Sequence, residues 1–244
     1  MIQRIIIIIV LSIGLSAHAA VGQVRVEPLF SIWDLKLGQP ISHVPDAEVG
    51  EIACGTGGGP VGQTLASFRD FLTCTPEQSG LREVVFNYDD EQDYIALALD
   101  TEYKFLHGGT SVFAHPVIVS LLVDPVSVVK GRRIVTDDHV SDFERRNAFT
   151  LIRNFKARYG KWSLNCADIA MKEGEQPVGK QFVHELCNGK SPDGGTLIAI
   201  EASYLRKKGQ QGVNRETQEV NNGYFESQTR YEEVLTPYTP VIAP

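Results

Sequence analysis

The sequence lacks a long block of basic residues and carries an excess of acidic ones. Its 244 residues include 23 Lys and Arg against 30 Asp and Glu, which gives a net charge of −7. Nucleic acids and anionic membrane surfaces attract proteins through concentrated positive charge, so we expect no nucleic-acid partner. The hydrophobic content of 43% is typical of a globular chain and predicts a folded protein.

Motifs that mark common enzyme sites are also missing. The sequence contains no H-E-x-x-H zinc motif and no G-x-S-x-G nucleophile motif. The glycine-rich stretch Gly55–Pro60 lacks the Gly-Lys-Ser/Thr ending of a phosphate-binding loop, which favours a flexible loop. We therefore expect no cofactor and no resident metal.

Residues 1–19 have the pattern of a secretory signal peptide. Arg4 precedes the apolar run Ile5–Leu15, and Ala17-His18-Ala19 fits the small-x-small rule for cleavage. The run is shorter than the ~20 residues that span a bilayer. Cleavage after Ala19 would remove Arg4 and leave 22 basic against 30 acidic residues, a net charge of −8. We expect an exported chain, periplasmic or extracellular, with no stable membrane anchor.

The four cysteines predict two local disulfides. Exported proteins fold in an oxidising compartment, where an even number of cysteines indicates a disulfide framework. Cys54 and Cys74 lie 20 residues apart, and Cys166 and Cys187 lie 21 apart. This spacing favours the pairs Cys54–Cys74 and Cys166–Cys187 among the three pairings that four cysteines allow. None of the spacings is the C-x₂₋₄-C of a zinc site.

The chain divides into two halves of similar layout. In each half a cysteine pair encloses a Pro-Val-Gly triplet, at 60–62 and 177–179, and a strand-like segment follows. Internal duplication and a chance match of three residues both explain this order. We predict an α+β fold of two tandem helix-plus-antiparallel-sheet units, 30–136 and 137–236, each with one local disulfide. An extended tail at 237–244 would follow them. A single continuous sandwich over the whole chain is the alternative.

The strongest helix prediction covers Val140–Tyr159. Ser141 and Glu144 have the spacing of a capping box. The apolar residues that recur at three- and four-residue spacing, and so predict one buried stripe, are Phe143, Ala148, Leu151, Ile152, Phe155 and Tyr159. Alternating patterns predict strands at 81–88, 94–100, 117–123, 126–135, 196–205 and 224–235.

This layout resembles the family of β-lactamase inhibitor proteins. The stretch Leu37–Val44 looks like the Leu-Gly-Met-Ser…Val helix opening of that family's repeats, and Cys54…Cys74 is similar to the disulfide within a repeat. Comparable positions in the second half are taken by Phe155, Tyr159, Gly160, Cys166 and Cys187. The resemblance covers about 30–235. It implies a secreted tandem of helix-plus-four-strand repeats, related in fold to small outer-membrane assembly lipoproteins. No inhibitory residue carries over, and no lipid-attachment cysteine follows the predicted signal peptide.

Two functional hypotheses follow from these observations. The first is an exported, soluble, non-enzymatic protein that binds another protein or a cell-envelope component. The second is a secreted hydrolase or metal-dependent enzyme, because imidazole and carboxylate groups can ligate zinc or serve a nucleophile. Its residues would be His107, His115 or His139 with Asp137 or Asp138. These histidines lack the ordered spacing of a known ligand set, which favours the first hypothesis.

The polar segment 206–223 is the best candidate for a partner contact. It is rich in Lys, Gln, Asn and Gly, and Val213 and Val220 are its only large apolar residues. Such a segment buries little apolar surface, so we expect a projecting loop that is the least ordered internal part of the chain. Its basic residues Lys207, Lys208 and Arg215 are the predicted contacts.

Overall fold

The computed structural model describes residues 31–87, 110–213, 219–221 and 223–241. The predicted signal peptide, the predicted strand at 94–100, His107 and Arg215 lie outside these residues. Within them the regular elements are strands, short α-helices and 3-10 turns. No helix of this part of the chain is long and apolar enough to cross a membrane.

Most of the strands in the described chain belong to one antiparallel sheet of eleven strands. The strand order is β2-β1-β3-β5-β6-β13-β10-β9-β7, with β4 paired to β5 and β8 paired to β10. The strands of this sheet are β1 (Ile52–Cys54), β2 (Thr64–Leu65), β3 (Arg82–Phe86), β4 (Thr110–Val112), β5 (His115–Val123), β6 (Val129–Thr136), β7 (Asn165–Asp168), β8 (Glu175–Gln176), β9 (Val183–Lys190), β10 (Thr196–Lys207) and β13 (Glu226–Leu235). A separate two-stranded ladder, β11 (Gly212–Val213) with β12 (Val220–Asn221), lies between β10 and β13 in the chain.

The predicted α+β fold of two helix-plus-sheet units is wrong. The last strand of the first half, β6, pairs with the last strand of the second half, β13, over five consecutive residue pairs. The sheet therefore continues across the predicted boundary at 136/137. One core cluster also contains side chains of both halves, for example Phe68 and Tyr231. The first half has no α-helix among its described residues and uses 3-10 turns at Ile41–His43, Asp46–Glu48 and Phe68–Thr73.

The helix predicted over 140–159 forms as shorter pieces. These are α1 (Asp142–Arg145), a 3-10 turn (Ala148–Leu151) and α2 (Ile152–Arg158). The capping box is present, because Ser141 Oγ accepts the Glu144 N–H and the Glu144 carboxylate accepts the Ser141 N–H. The chain leaves the helical path at Asn147, whose φ is −102° and ψ is 4°. This break puts Phe143 out of phase with the buried stripe, and its side chain is 81% exposed.

One face of the sheet is mainly apolar, apart from the buried ion pair Arg132–Glu233, and is covered by the helices and 3-10 turns. Large side chains such as Phe86, Leu121 and Ile200 pack there with Leu151 and Phe155 from the covering segments. Burial of each large apolar side chain contributes roughly 1.5–3 kcal/mol, so this face supplies most of the stability of the fold.

The opposite face carries a network of buried charges. Arg133 on β6 contacts three carboxylates, Glu77 at 2.6 Å, Glu83 at 3.0 Å and Glu232 at 2.8 Å. Arg230 pairs with Glu232 at 3.2 Å. Burial alone would lower the pKa of Arg133, but the hydrogen bond to Glu77 and the charges of Glu83 and Glu232 raise it above its ordinary value. Arg133 therefore stays charged while buried.

The glycine-rich stretch folds over this network. The N–H groups of Gly57 and Gly58 donate to the Glu83 carboxylate. Both glycines have positive φ, +84° and +81°, a conformation that residues with a Cβ rarely adopt. The stretch does cradle an anion, but that anion is a carboxylate of the same chain.

Both predicted disulfides are present. Cys54–Cys74 joins β1 to the end of the 3-10 turn Phe68–Thr73, and Cys166–Cys187 joins β7 to β9 at directly opposed positions. No free cysteine remains among the described residues. Two disulfides are consistent with folding in an oxidising compartment.

Candidate functional site

A groove of about 530 Å³ lies on the charged face, where β10 meets β8, β9 and β13. Its side chains carry charges of both signs. The acidic ones are Asp138, Glu173, Glu175, Glu201 and Glu226, and the basic ones are Lys172, Lys207, Lys208 and Arg230. Its other polar side chains include His184, Ser203, Gln210, Tyr224 and Gln228.

Strand pairing places the central groups of this groove. Successive residues of a strand point to opposite faces, so Glu201 and Ser203 on β10 share the charged face while Ile200 and Ala202 lie in the apolar core. The register between β9 and β10 places His184 of β9 directly opposite Ser203 of β10. The groove is therefore a product of the sheet and does not depend on a single loop.

One ion pair and one histidine–carboxylate contact are already formed in the groove. Lys207 Nζ lies 2.9 Å from Glu226 Oε2, and Ser203 Oγ donates to Glu226 Oε1 at 2.7 Å. The hydrogen bond to Glu226 raises the pKa of Lys207 above its ordinary value. His184 Nε2 lies 2.8 Å from Glu201 Oε1. These contacts restrict long side chains that would otherwise be free in solvent.

Chemically, the arrangement suits recognition better than nucleophilic catalysis. The Ser203 hydroxyl is buried and is hydrogen-bonded to a carboxylate, without an imidazole as its base. His184 Nδ1 is buried and has no hydrogen-bond partner within the described part of the chain. Neither group is presented to a substrate in the manner of an activated nucleophile and its base.

The predicted contact residues of the polar segment lie partly in this groove. Lys207 and Lys208 line it, and both side chains are exposed. Arg215 lies outside the described residues, so its role stays a prediction. The segment itself contains the β11–β12 ladder, in which Val213 and Val220 are paired and exposed.

The histidine–aspartate residues of the enzyme hypothesis come together only in part. Potential ligand atoms of Asp137, Asp138 and His139 all lie within 4.8 Å of one another. Asp137 Oδ1 accepts the backbone N–H of His139 at 2.8 Å and lies 3.0 Å from its Nδ1, so a local turn accounts for this cluster. His115 begins β5, and His107 lies outside the described residues. The enzyme hypothesis stays a prediction.

Sequence reasoning missed His184, Glu201, Ser203 and Glu226. The signal for two of them was present, because Glu201 and Ser203 are polar residues at alternate positions of the predicted strand 196–205. Their convergence with His184 and Glu226 depends on the neighbours of β10, which periodicity does not specify.

No protein-family model, no curated protein and no solved structure matches this chain. The resemblance to the β-lactamase inhibitor family therefore stays a prediction.

Proposed function

We propose that this chain is an exported, non-enzymatic binding protein that holds a segment of another protein in the groove along β10. The observation that supports this most strongly is the concave surface with five acidic and four basic side chains, among which the ion pair Lys207–Glu226 is already formed. Side chains that are ordered before binding lose less conformational entropy on association, which favours affinity.

The near balance of charges favours a protein as the partner. Nucleic acids and anionic membrane surfaces present negative charge alone and are bound by uniformly basic surfaces. A protein segment presents both signs along one backbone, and complementary charges then set its orientation and exclude wrong partners. An acidic side chain of the partner would meet Lys172 and Lys208, and a basic one would meet Glu173.

Export is the second part of the proposal. The disulfides Cys54–Cys74 and Cys166–Cys187 form and persist in oxidising compartments. The predicted signal peptide at 1–19 agrees with that location. The partner would then be another exported or envelope protein.

A matched pair of charge reversals tests the groove. Lys208→Glu changes an exposed groove residue, and Lys180→Glu makes the same change at an exposed position that is not part of the groove lining. The purified full-length chain is titrated against envelope and secreted proteins of its source, and the saturable partner is identified by cross-linking and mass spectrometry. We expect Lys208→Glu to weaken that partner's binding about tenfold, a loss of ~1.4 kcal/mol, while Lys180→Glu binds like the wild type.

Three results would contradict the proposal. These are the absence of any saturable protein partner, equal affinities of the two variants, and capture of a glycan in place of a protein. Thermal unfolding of both variants by circular dichroism shows that each is folded when it is compared.

A further inference from the structure

Side chains, and not a neighbouring strand, hold the backbone of Val241. Its N–H donates to Glu232 Oε1 at 3.0 Å, and its carbonyl accepts from Arg230 Nε at 3.1 Å. Arg230 and Glu232 are two residues apart on β13 and so point to the same face. Together they bind both main-chain groups of one residue, as an adjacent antiparallel strand would.

Contacts outside the tail also hold this pair of side chains. Arg230 also donates to Glu232 Oε2 at 3.2 Å and to the Gly57 carbonyl at 2.7 Å. Glu232 also accepts from Arg133 Nε at 2.8 Å. Release of Val241 would therefore leave no isolated buried charge, and the two groups would stay ordered for another ligand.

A second contact lies three residues earlier. The ring of Tyr238 packs against the apolar cluster Leu81, Leu122 and Val234. The Val241 side chain is 44% exposed, so it contributes much less than its backbone does. The contacts thus require an aromatic side chain followed, three positions later, by a residue with a free N–H.

We infer that Arg230, Glu232 and the Leu81–Leu122–Val234 cluster form a peptide-binding site whose resident ligand is the chain's own tail, 237–241. Its external ligand is an extended segment of another chain with the same spacing, an aromatic residue three positions before a residue that is not proline. Recognition of main-chain groups in an extended peptide, with side-chain pockets for specificity, is a recurrent binding mode. Val241 also lines a cavity of about 620 Å³, so a residue larger than valine can be accommodated there.

The experiment uses the full-length chain with its tail undocked. Tyr238→Ala removes the ring, and Val241→Pro removes the N–H that Glu232 accepts. A fluorescein-labelled peptide with the sequence of residues 237–244 is the probe, and fluorescence anisotropy measures its binding. We expect saturable binding to the double variant and none to the wild type, where the tethered tail fills the site at an effective concentration of order mM.

A modified peptide provides the specificity control. Methylation of the Val241 amide nitrogen removes one hydrogen bond to a charged acceptor, and we expect it to weaken binding about tenfold or more. Equal binding of the two peptides, or no binding to a double variant that still unfolds cooperatively, would overturn the inference. If the double variant does not fold, Val241→Pro alone replaces it, because residue 241 is half exposed and lies outside the sheet.

Discussion

Glu83→Gln tests whether the buried charge network holds the second face together. Glu83 is 1% exposed. Its carboxylate accepts hydrogen bonds from Gly57 N–H, Gly58 N–H and Ser120 Oγ and lies 3.0 Å from Arg133 Nη1. The substitution keeps the shape of the side chain but removes its charge, so the amide N–H₂ faces groups that are themselves donors.

The expected loss of unfolding free energy is about 3 kcal/mol. Breaking a buried ion pair by removal of one partner costs about 3–5 kcal/mol. The lower end applies because Arg133 keeps Glu77 and Glu232 as partners. Glu77→Gln is the matched control: this side chain pairs with the same arginine but is 21% exposed, so its loss should cost only about 1 kcal/mol.

The pH dependence of the unfolding free energy provides an independent test of the role of the Glu83 charge. Burial would raise the pKa of Glu83, but the charge of Arg133 and the hydrogen bonds from Ser120 and Gly57 outweigh it and hold the pKa below 4.5. A carboxyl with a lowered pKa contributes its full stability above its unfolded-state pKa, and this contribution disappears as the pH falls through the folded-state value. The gap between wild type and Glu83→Gln should therefore be full at neutral pH and shrink below pH 4.5. Urea denaturation at a series of pH values measures it. A neutral-pH loss no larger than that of Glu77→Gln, or a gap that does not change with pH, would refute this account.

Two further predictions concern the loop and the core. Gly58→Ala should destabilise the fold about 1–3 kcal/mol more than Gly57→Ala does. Both glycines have positive φ, but only a Cβ at Gly58 would meet another group, Val135 Cγ2 at 2.5 Å. Equal losses of unfolding free energy in urea denaturation would show that the loop moves aside. Burial and the nearby charge of Glu233 raise the pKa of Tyr159 to about 12, and burial also raises the pKa of its neighbour Tyr231 well above 10. Tyr159→Phe should therefore change the late part of a tyrosinate absorbance titration and leave the transitions near pH 10 in place; loss of a transition near pH 10 would contradict the burial of this hydroxyl.

Local features of this chain could be predicted from its sequence. The capping box of Ser141 and Glu144 depends on a spacing of three residues along one helical turn. The disulfide pairings depend on loop length, and the two short loops were the favoured ones. The capping box and the disulfides each join residues that are close together in the chain, so their spacing in the sequence was enough to predict them.

Long-range pairing could not be predicted in the same way. Alternation along β6 and β13 identifies two strands but does not show that each is the other's neighbour. Prediction of the groove would have required knowledge of the strand pairing, because His184 and Glu201 meet only when β9 and β10 pair in register. Prediction of the role of the glycine-rich stretch would have required the same knowledge, since Glu83 lies about 25 residues along the chain from the glycine N–H groups that donate to it.

The contrast between the two faces of the sheet follows from the backbone of the segments that cover them. The helical turns within 148–158 satisfy part of their own N–H and C=O groups, and the face beneath them is mainly apolar, with Arg132 and Glu233 as a buried ion pair. The glycine-rich stretch and the tail have few such internal bonds, and a buried backbone group without a partner costs about 1–3 kcal/mol. Glu83 accepts from Gly57 and Gly58, while Arg230 and Glu232 bind the two backbone groups of Val241. On this face, buried charged side chains form the hydrogen bonds to the backbone that an adjacent strand or a helical turn provides elsewhere. Each of these charges also pairs with another, which offsets part of the cost of burying it. The same pairing leaves Arg230 and Glu232 able to bind the backbone of a second chain.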